Sequence, residues 1–195
     1  MAKCVLFIDG ENFLHGVRAV LNKEGIRNNR DDLTTIDLDD LFKEPLKGFD
    51  ISTKIFYAAK IHLYADTAEK SKELIDFQRE LRNNLVGQGY EFVMAGNVRG
   101  QKVGTRVVFR EKGVDVKIAV DLISLACDKK LDTAIVCSSD SDLQPAIKEV
   151  RRRGVEVAYL GFESSPNKGL TYTTNRTILL RNPEVIKAYR SKAGK

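Results

Sequence analysis

Short apolar runs alternate along the chain with segments whose apolar residues recur every three or four positions. The first run, at 4–8, is continuous and partly β-branched, which is typical of a parallel strand buried on both faces. In a later segment, Phe77 and Leu81 follow helical spacing, and Gly87 ends the predicted helix. The pattern predicts strands at 4–8, 51–61, 90–95, 133–137, 155–160 and 177–180. It predicts helices at 11–21, 37–42, 67–86, 114–127 and 143–153, and a closing helix from Pro183.

Strands that alternate with helices indicate an α/β fold, here a three-layer α/β/α sandwich with a mainly parallel central sheet of Rossmann type. The segment 96–113 interrupts this alternation with four glycines, and it predicts a β-ribbon or a mobile loop at the rim of the sheet. Its basic residues are Arg99, Lys102, Arg106, Arg110 and Lys112. The sequence contains no internal repeat and no linker that would divide it. We therefore predict that residues 1–182 form a single domain, followed by a C-terminal helix and a basic tail at 183–195.

Composition narrows the range of functions without choosing one. A chain of 195 residues that is 43% hydrophobic can bury one sizeable core, and its net charge of +5 is compatible with a polyanionic partner. We expect a cytoplasmic protein without a membrane partner, because no apolar stretch approaches the roughly 20 residues that cross a bilayer and no signal-peptide layout is visible. Cys4, Cys127 and Cys137 lie in apolar runs, and we expect all three to be reduced core residues.

Carboxylates follow the predicted strands where they end. Asp9 follows the first strand, and Asp140 and Asp142 follow the strand at 133–137. Ligands of open α/β sheets bind outside the carboxyl ends of the strands, so these side chains are expected at one rim. Asp115 begins the helix after the basic segment and is expected there too. Asp121 is roughly 240° further round that helix and is the weaker candidate.

A cluster of this kind calls for a cation. Two carboxylates about 5 Å apart repel by about 3 kcal/mol at an effective dielectric constant near 20. Oxygen ligands without clustered histidine or cysteine favour Mg²⁺ or Mn²⁺ over zinc. Each aspartate alone also fits a commoner role, as a strand-end turn, a helix cap, a dipole-stabilised first-turn residue or an ion-pair partner. Turn chemistry does not explain why they converge on one rim.

Three ordered motifs carry a resemblance to a known family. They are Phe7-Ile8-Asp9-Gly10-Glu11-Asn12, then Lys112-Gly113-Val114-Asp115 with Asp121 on the same helix, then Ser138-Ser139-Asp140-Ser141-Asp142-Leu143 followed by Gly154-Val155-Glu156-Val157. Over about residues 3 to 182 the sequence resembles the NYN domain, in its LabA-like branch. That family belongs to the PIN-like nucleases, so the resemblance implies a PIN-like fold.

The resemblance also implies roles for individual residues. It implies catalytic metal ligation by Asp9, Asp115 and Asp140, with Asp142 and Asp121 as further acidic metal positions. Asn12 is implied as a catalytic residue that orients a carboxylate or a phosphate oxygen. The implied substrate contacts are Asn12, Ser139, Arg99, Lys102, Arg106, Arg110 and Lys112.

The leading hypothesis is therefore a Mg²⁺- or Mn²⁺-dependent ribonuclease that hydrolyses the phosphodiester bonds of single-stranded RNA. RNA is preferred over DNA only through the resemblance, since the same charges would meet either strand. A non-catalytic regulatory module that binds RNA or a nucleotide in the same acidic pocket is the alternative. An aspartyl-phosphate phosphatase ranks low, because Glu11 stands two residues after Asp9 where that chemistry needs its second aspartate. A homodimer stays open.

Overall fold

The computed structural model describes residues 3–27, 31–63, 68–103 and 106–193. The side chains at 31, 99–103, 106, 107, 110 and 191–193 lie outside this description. The strands are β1 Cys4–Asp9, β2 Ile51–Lys60, β3 Glu91–Val103, β4 Arg106–Lys112, β5 Thr133–Cys137, β6 Glu156–Phe162 and β7 Arg176–Leu180. The helices are α1 Gly10–Lys23, α2 Leu38–Lys43, α3 Ala68–Gly87, α4 Val114–Cys127, α5 Gln144–Arg152, α6 Lys168–Thr173 and α7 Asn182–Ala193. Short 3₁₀ turns occupy Asp31–Thr35 and Ser141–Leu143.

The strands form one seven-stranded sheet in the order β4-β3-β2-β1-β5-β6-β7. All pairs are parallel except β3 with β4. Every residue of β1 is buried, as its continuous apolar run predicts. From β1 the chain builds outward through β2, β3 and β4, and it then crosses back to build β5, β6 and β7 on the other side. The crevice between β1 and β5 is thus the topological switch point, where ligands of such sheets bind.

Helices cover both faces of the sheet, which confirms the predicted three-layer α/β/α fold. One apolar core joins the sheet to α1, α2, α3 and α7, and includes Phe13, Leu85 and Tyr189. The second core joins the opposite face to α4 and α5. Of the helices in the described part of the chain, none is long and apolar enough to cross a membrane.

The basic segment forms the predicted ribbon. β3 runs on past its parallel partner and turns back as β4, with paired positions from Asn97 opposite Lys112 to Val103 opposite Arg106. Gly96 at the base of the ribbon has φ +68°, and a Cβ there would lie 2.2 Å from the Lys112 carbonyl oxygen. Glycine at this position lets the two backbones meet and the ribbon leave the sheet.

Two details differ from the sequence prediction. The polar stretch at 164–175, which shows no helical period, contains α6. This helix forms because the Asn167 side chain accepts a hydrogen bond from the Leu170 N–H at 2.9 Å, and Leu170 is fully buried. Cys127 was expected in the core and is exposed, so that prediction was wrong. It ends α4 on the side facing solvent, a position that the apolar composition of α4 does not reveal.

Candidate metal centre at the carboxyl end of the sheet

Asp9 lies at the centre of the switch crevice, where β1 ends and α1 begins. Its carboxylate caps α1, because Oδ1 accepts the Asn12 N–H at 3.2 Å. Its Oδ2 accepts the Asn12 side-chain amide at 2.6 Å and the Ser138 hydroxyl at 3.1 Å. The side chain is only 2% exposed. Burial raises the pKa of the Asp9 carboxyl, the hydrogen bonds from Asn12 and Ser138 oppose that rise, and the charge of Asp140 adds to it.

Three further carboxylates form a cluster near this position. Asp115, Asp140 and Asp142 each offer an oxygen atom, and these oxygens lie within 4.8 Å of one another. Asp115 belongs to the first turn of α4, while Asp140 and Asp142 belong to the turn after β5. We call these three residues the carboxylate cluster.

Local hydrogen bonds shape the turn that carries two of these aspartates. The Ser138 hydroxyl accepts the Asp140 N–H at 3.1 Å, and Asp140 Oδ1 accepts the Asp142 N–H at 2.8 Å. Ser138 therefore connects the turn directly to Asp9. Among the side chains that the structure describes, no lysine or arginine is paired with the carboxylate cluster. Half-buried carboxylates without a cationic partner repel one another, and a bound divalent ion would relieve that repulsion.

The structure thus separates Asp9 from the other expected ligands. Asp115 and Asp140 lie together as the sequence predicts, and Asp142 joins them with one oxygen. Asp9 lies close enough for the charge of Asp140 to raise its pKa, but it is not one of the clustered three. Its oxygens already accept three hydrogen bonds, so it is placed to orient the turn as well as to contribute negative charge.

Asp121 lies on a different face of α4 from Asp115. Its Oδ2 accepts the hydroxyl of buried Tyr57 at 2.9 Å, and its Oδ1 pairs with Lys117 at 2.5 Å. Burial and the negative charge of Asp121 raise the pKa of the Tyr57 hydroxyl. These contacts give Asp121 a structural role, in agreement with its weaker rank by helical geometry.

A family model of the NYN domain matches residues 3–181. The chain belongs to the NYN domain family. Because the chain is an NYN domain, it belongs to the PIN-like nuclease superfamily. The crystal structure of a protein of unknown function, VPA0982 from Vibrio parahaemolyticus RIMD 2210633, is similar to this NYN domain with a TM-score of 0.60. That similarity covers 92% of this chain and 93% of the other at 19% sequence identity, so it shows the fold alone. No curated protein is a significant match to the chain.

Two glutamates extend the acidic surface of this NYN domain, and the sequence prediction did not include them as ligands. Desolvation raises the pKa of Glu11, and the charge of Asp9 raises it further. Desolvation also raises the pKa of Glu111, which feels the charges of Asp9, Glu11 and Asp115. Glu111 Oε1 accepts the Val114 N–H at 3.0 Å and so helps to begin α4. An acid three residues before a predicted helix start is the available signal, and its basic neighbours obscure it.

The structure describes the side chains of some expected substrate contacts and not those of others. Asn12 is half-buried, its amide donates to Asp9, and its Oδ1 accepts the Ser139 hydroxyl. The Ser139 carbonyl accepts the Asn167 side-chain amide at 2.7 Å, so the turn is held from both sides. Lys112 is exposed at the end of β4, next to Gly113 and α4. The other expected contacts have side chains outside the described part of the chain: Arg99, Lys102, Arg106 and Arg110.

Proposed function

We propose that this NYN domain is a metal-dependent ribonuclease that hydrolyses phosphodiester bonds of single-stranded RNA. The observation that carries the proposal is the convergence of Asp115, Asp140 and Asp142 at the switch crevice of a fold from the PIN-like nuclease superfamily. The basic sequence of the β-ribbon, whose strand β4 leads directly into α4, supports a polyanionic substrate. The free cysteines support a reducing, cytoplasmic setting.

The residues fit Mg²⁺ or Mn²⁺. The cluster offers only carboxylate oxygens, which hard divalent cations prefer. Neighbouring ligand oxygens of an octahedral Mg²⁺ lie about 2.9 Å apart at bond lengths of about 2.0–2.1 Å, so side-chain movements of about 1 Å for each oxygen bring oxygens within 4.8 Å of one another to that spacing. When bound, such an ion supplies a water of lowered pKa and offsets the negative charge that develops on the phosphate. Asp115, Asp140 and Asp142 would hold the ion.

The remaining residues orient the site. Asp9 and Ser138 keep the turn after β5 in place through their hydrogen bond, and so position Asp140 and Asp142. The Asn12 amide is held between Asp9 and Ser139 at the entrance to the crevice, where it can direct a phosphate oxygen. Lys112 and the basic residues of the ribbon would compensate the phosphates that flank the reacting bond.

The test is cleavage of a labelled single-stranded RNA by the purified protein with Mn²⁺, with EDTA, and by the Asp115→Asn variant. We expect cleavage with Mn²⁺ only, and a loss of at least about 100-fold in Asp115→Asn, the size of effect seen when a transition-state stabilising group is removed. Asp128→Asn is the matched control, because Asp128 follows the opposite end of α4, is exposed and pairs with Lys130 at 3.2 Å. It should cleave as the wild type does.

Two outcomes would contradict the proposal. Equal cleavage by the wild type and by Asp115→Asn would assign the activity to a contaminant. RNA binding that depends on Asp115 and Mn²⁺, without cleavage of any RNA supplied, would instead favour the non-catalytic binding module that uses the same pocket.

A further inference from the structure

A cleft of about 490 Å³ opens on the face of the sheet that α1 and α3 cover, and its lining includes Gly10 and Glu11, the two residues after Asp9. This volume lies within the roughly 300–1,000 Å³ range of small-ligand sites. Its floor is the carboxyl-terminal part of β2 with Phe92 near the start of β3, one wall is α3, and the other wall is the β-ribbon. Its inner end is formed by Gly10, Glu11 and Glu111, so the cleft and the acidic surface share residues.

Aromatic rings line the cleft. Phe92 is half-buried and stacks on buried Phe56, with ring centroids 5.4 Å apart and planes 19° from parallel. Phe109 on β4 lines the same cleft, is also half-buried, and brings a ring from the ribbon. Phe77 on α3 completes the apolar lining. Partly exposed rings at the wall of a cleft offer the flat, apolar faces on which unpaired bases stack.

Charged and amide groups stand around these rings. Arg18 and Lys70 line the cleft together with Glu73 and the two glutamates of its inner end. The Gln78 side-chain amide is held by donation to the Ala59 carbonyl at 2.8 Å, and it too lines the cleft. A purely apolar occupant would remove these charged groups from water, which costs free energy. A nucleobase satisfies both kinds of lining, because it has π faces and a hydrogen-bonding edge.

We propose that this aromatic cleft binds one unpaired base of a single-stranded RNA, in the nucleotide next to the phosphate held at the carboxylate cluster. The inference rests on the proposed function for the position of that phosphate. Glu111 lines the cleft and accepts the N–H of Val114, the residue before Asp115, so the cleft and the cluster are neighbours. A base that enters the cleft must leave its stack, so the cleft selects single strands and excludes a duplex.

The test measures binding of a fluorescent octaadenylate by the whole protein, with Ca²⁺ in place of Mn²⁺ and with gel analysis that the probe stays intact. A fully abasic octamer keeps the phosphates and removes every base, and an octamer with one central adenosine among abasic positions returns a single base. We expect the fully abasic octamer to bind about 5- to 100-fold more weakly than the parent, and the single adenosine to restore most of that binding. Phe109→Ala should weaken binding of the parent octamer by a similar factor. Phe109→Trp keeps an aromatic face and should bind within about threefold of the wild type.

The matched control is Val108→Ala, because Val108 is next to Phe109 on β4, is 38% exposed and does not line the cleft. It should bind as the wild type does. A coupled measurement makes the test sharper: because Phe109 would hold a base, Phe109→Ala should cause no further loss on the fully abasic octamer. Melting temperatures of all variants verify that they are folded.

The inference is overturned if the fully abasic octamer binds within twofold of the parent, if Phe109→Ala behaves like Val108→Ala, or if the two losses simply add. It is also overturned if a blunt RNA duplex competes as well as the octamer. Mn²⁺-dependent cleavage that is sensitive to Asp115→Asn alongside any of these results would leave the ribonuclease proposal standing without the base site. Base binding without such cleavage would leave the base site standing and would contradict the ribonuclease proposal.

Discussion

Replacing Asp115 with asparagine removes one negative charge from the carboxylate cluster and keeps the size of the side chain. Without metal, this change removes two repulsions, one with Asp140 and one with Asp142. At the observed limit of 4.8 Å, each repulsion amounts to about 0.9 kcal/mol in water and about 3.5 kcal/mol at an effective dielectric constant near 20. Two of the residues are half-buried and one is exposed, so we take the lower end, about 1–2 kcal/mol in total.

An opposing effect reduces this gain. Asp115 lies in the first turn of α4, where a negative charge is stabilised by about 0.3–1 kcal/mol. The net expectation is that Asp115→Asn unfolds with about 1 kcal/mol more free energy than the wild type in EDTA. For a chain of this size, that difference corresponds to a melting temperature about 2–4 °C higher.

Metal should reverse the order of stability. At a Mn²⁺ concentration of about 100 times the dissociation constant, binding stabilises the wild type by about 2.7 kcal/mol, or roughly 5–11 °C. The variant, with one ligand removed, should gain much less. Thermal unfolding followed by circular dichroism, in EDTA and in Mn²⁺, measures both differences.

Glu69→Gln is the control for the dipole effect, because Glu69 is an exposed first-turn acid of α3 outside the carboxylate cluster. It should lower the melting temperature slightly and leave the response to Mn²⁺ unchanged. An Asp115→Asn variant that is no more stable than the wild type in EDTA, and is stabilised by Mn²⁺ to the same extent, would refute the reasoning that these three carboxylates form a metal site.

Two further predictions concern groups outside the cluster. Asp121→Ala should lower the free energy of unfolding by about 1–3 kcal/mol in urea titrations, since it leaves the hydroxyl of buried Tyr57 without its acceptor. The same variant should keep the stabilisation by Mn²⁺. Loss of that stabilisation would make Asp121 a metal ligand. A thiol-specific chromogenic reagent at pH 8 should modify only Cys127 in the folded protein and all three cysteines in guanidinium. The reason is that burial raises the pKa of Cys4 to about 11 and also raises that of Cys137. Rapid labelling of a second thiol in the folded protein would contradict the assigned burial.

The fold could be predicted from the sequence because the spacing of apolar residues clearly distinguishes strands from helices. The run at 4–8 predicted the fully buried central strand, and the glycine-rich basic segment predicted the ribbon of β3 and β4. The helix α6 was not predicted, because it has six residues and depends on one cap, Asn167, and one buried side chain, Leu170. Periodicity needs a longer segment than that. The order of the strands was not readable either, since sequence neighbours need not be neighbours in a sheet.

The site was accessible in part. The rule that ligands bind at the carboxyl ends of parallel strands predicts from the sequence that Asp115 and Asp140 lie at one rim. It could not tell that Asp9 accepts three hydrogen bonds, nor that Asp142 joins Asp115 and Asp140 with one oxygen. Glu111 escaped notice because its position depends on how the ribbon returns to α4, which is a tertiary property.

The sequence by itself determined which elements form and which of their ends carry carboxylates, because local periodicity and the residues at strand ends are properties of consecutive positions. Only the tertiary structure decided which carboxylates have oxygen atoms close together and which carboxylates accept hydrogen bonds from neighbouring residues. It also decided that Phe92 and Phe109, 17 positions apart, line one cleft beside them. Such decisions depend on distances of a few ångströms between segments remote in the chain, and those distances arise only when the sheet and its helices pack.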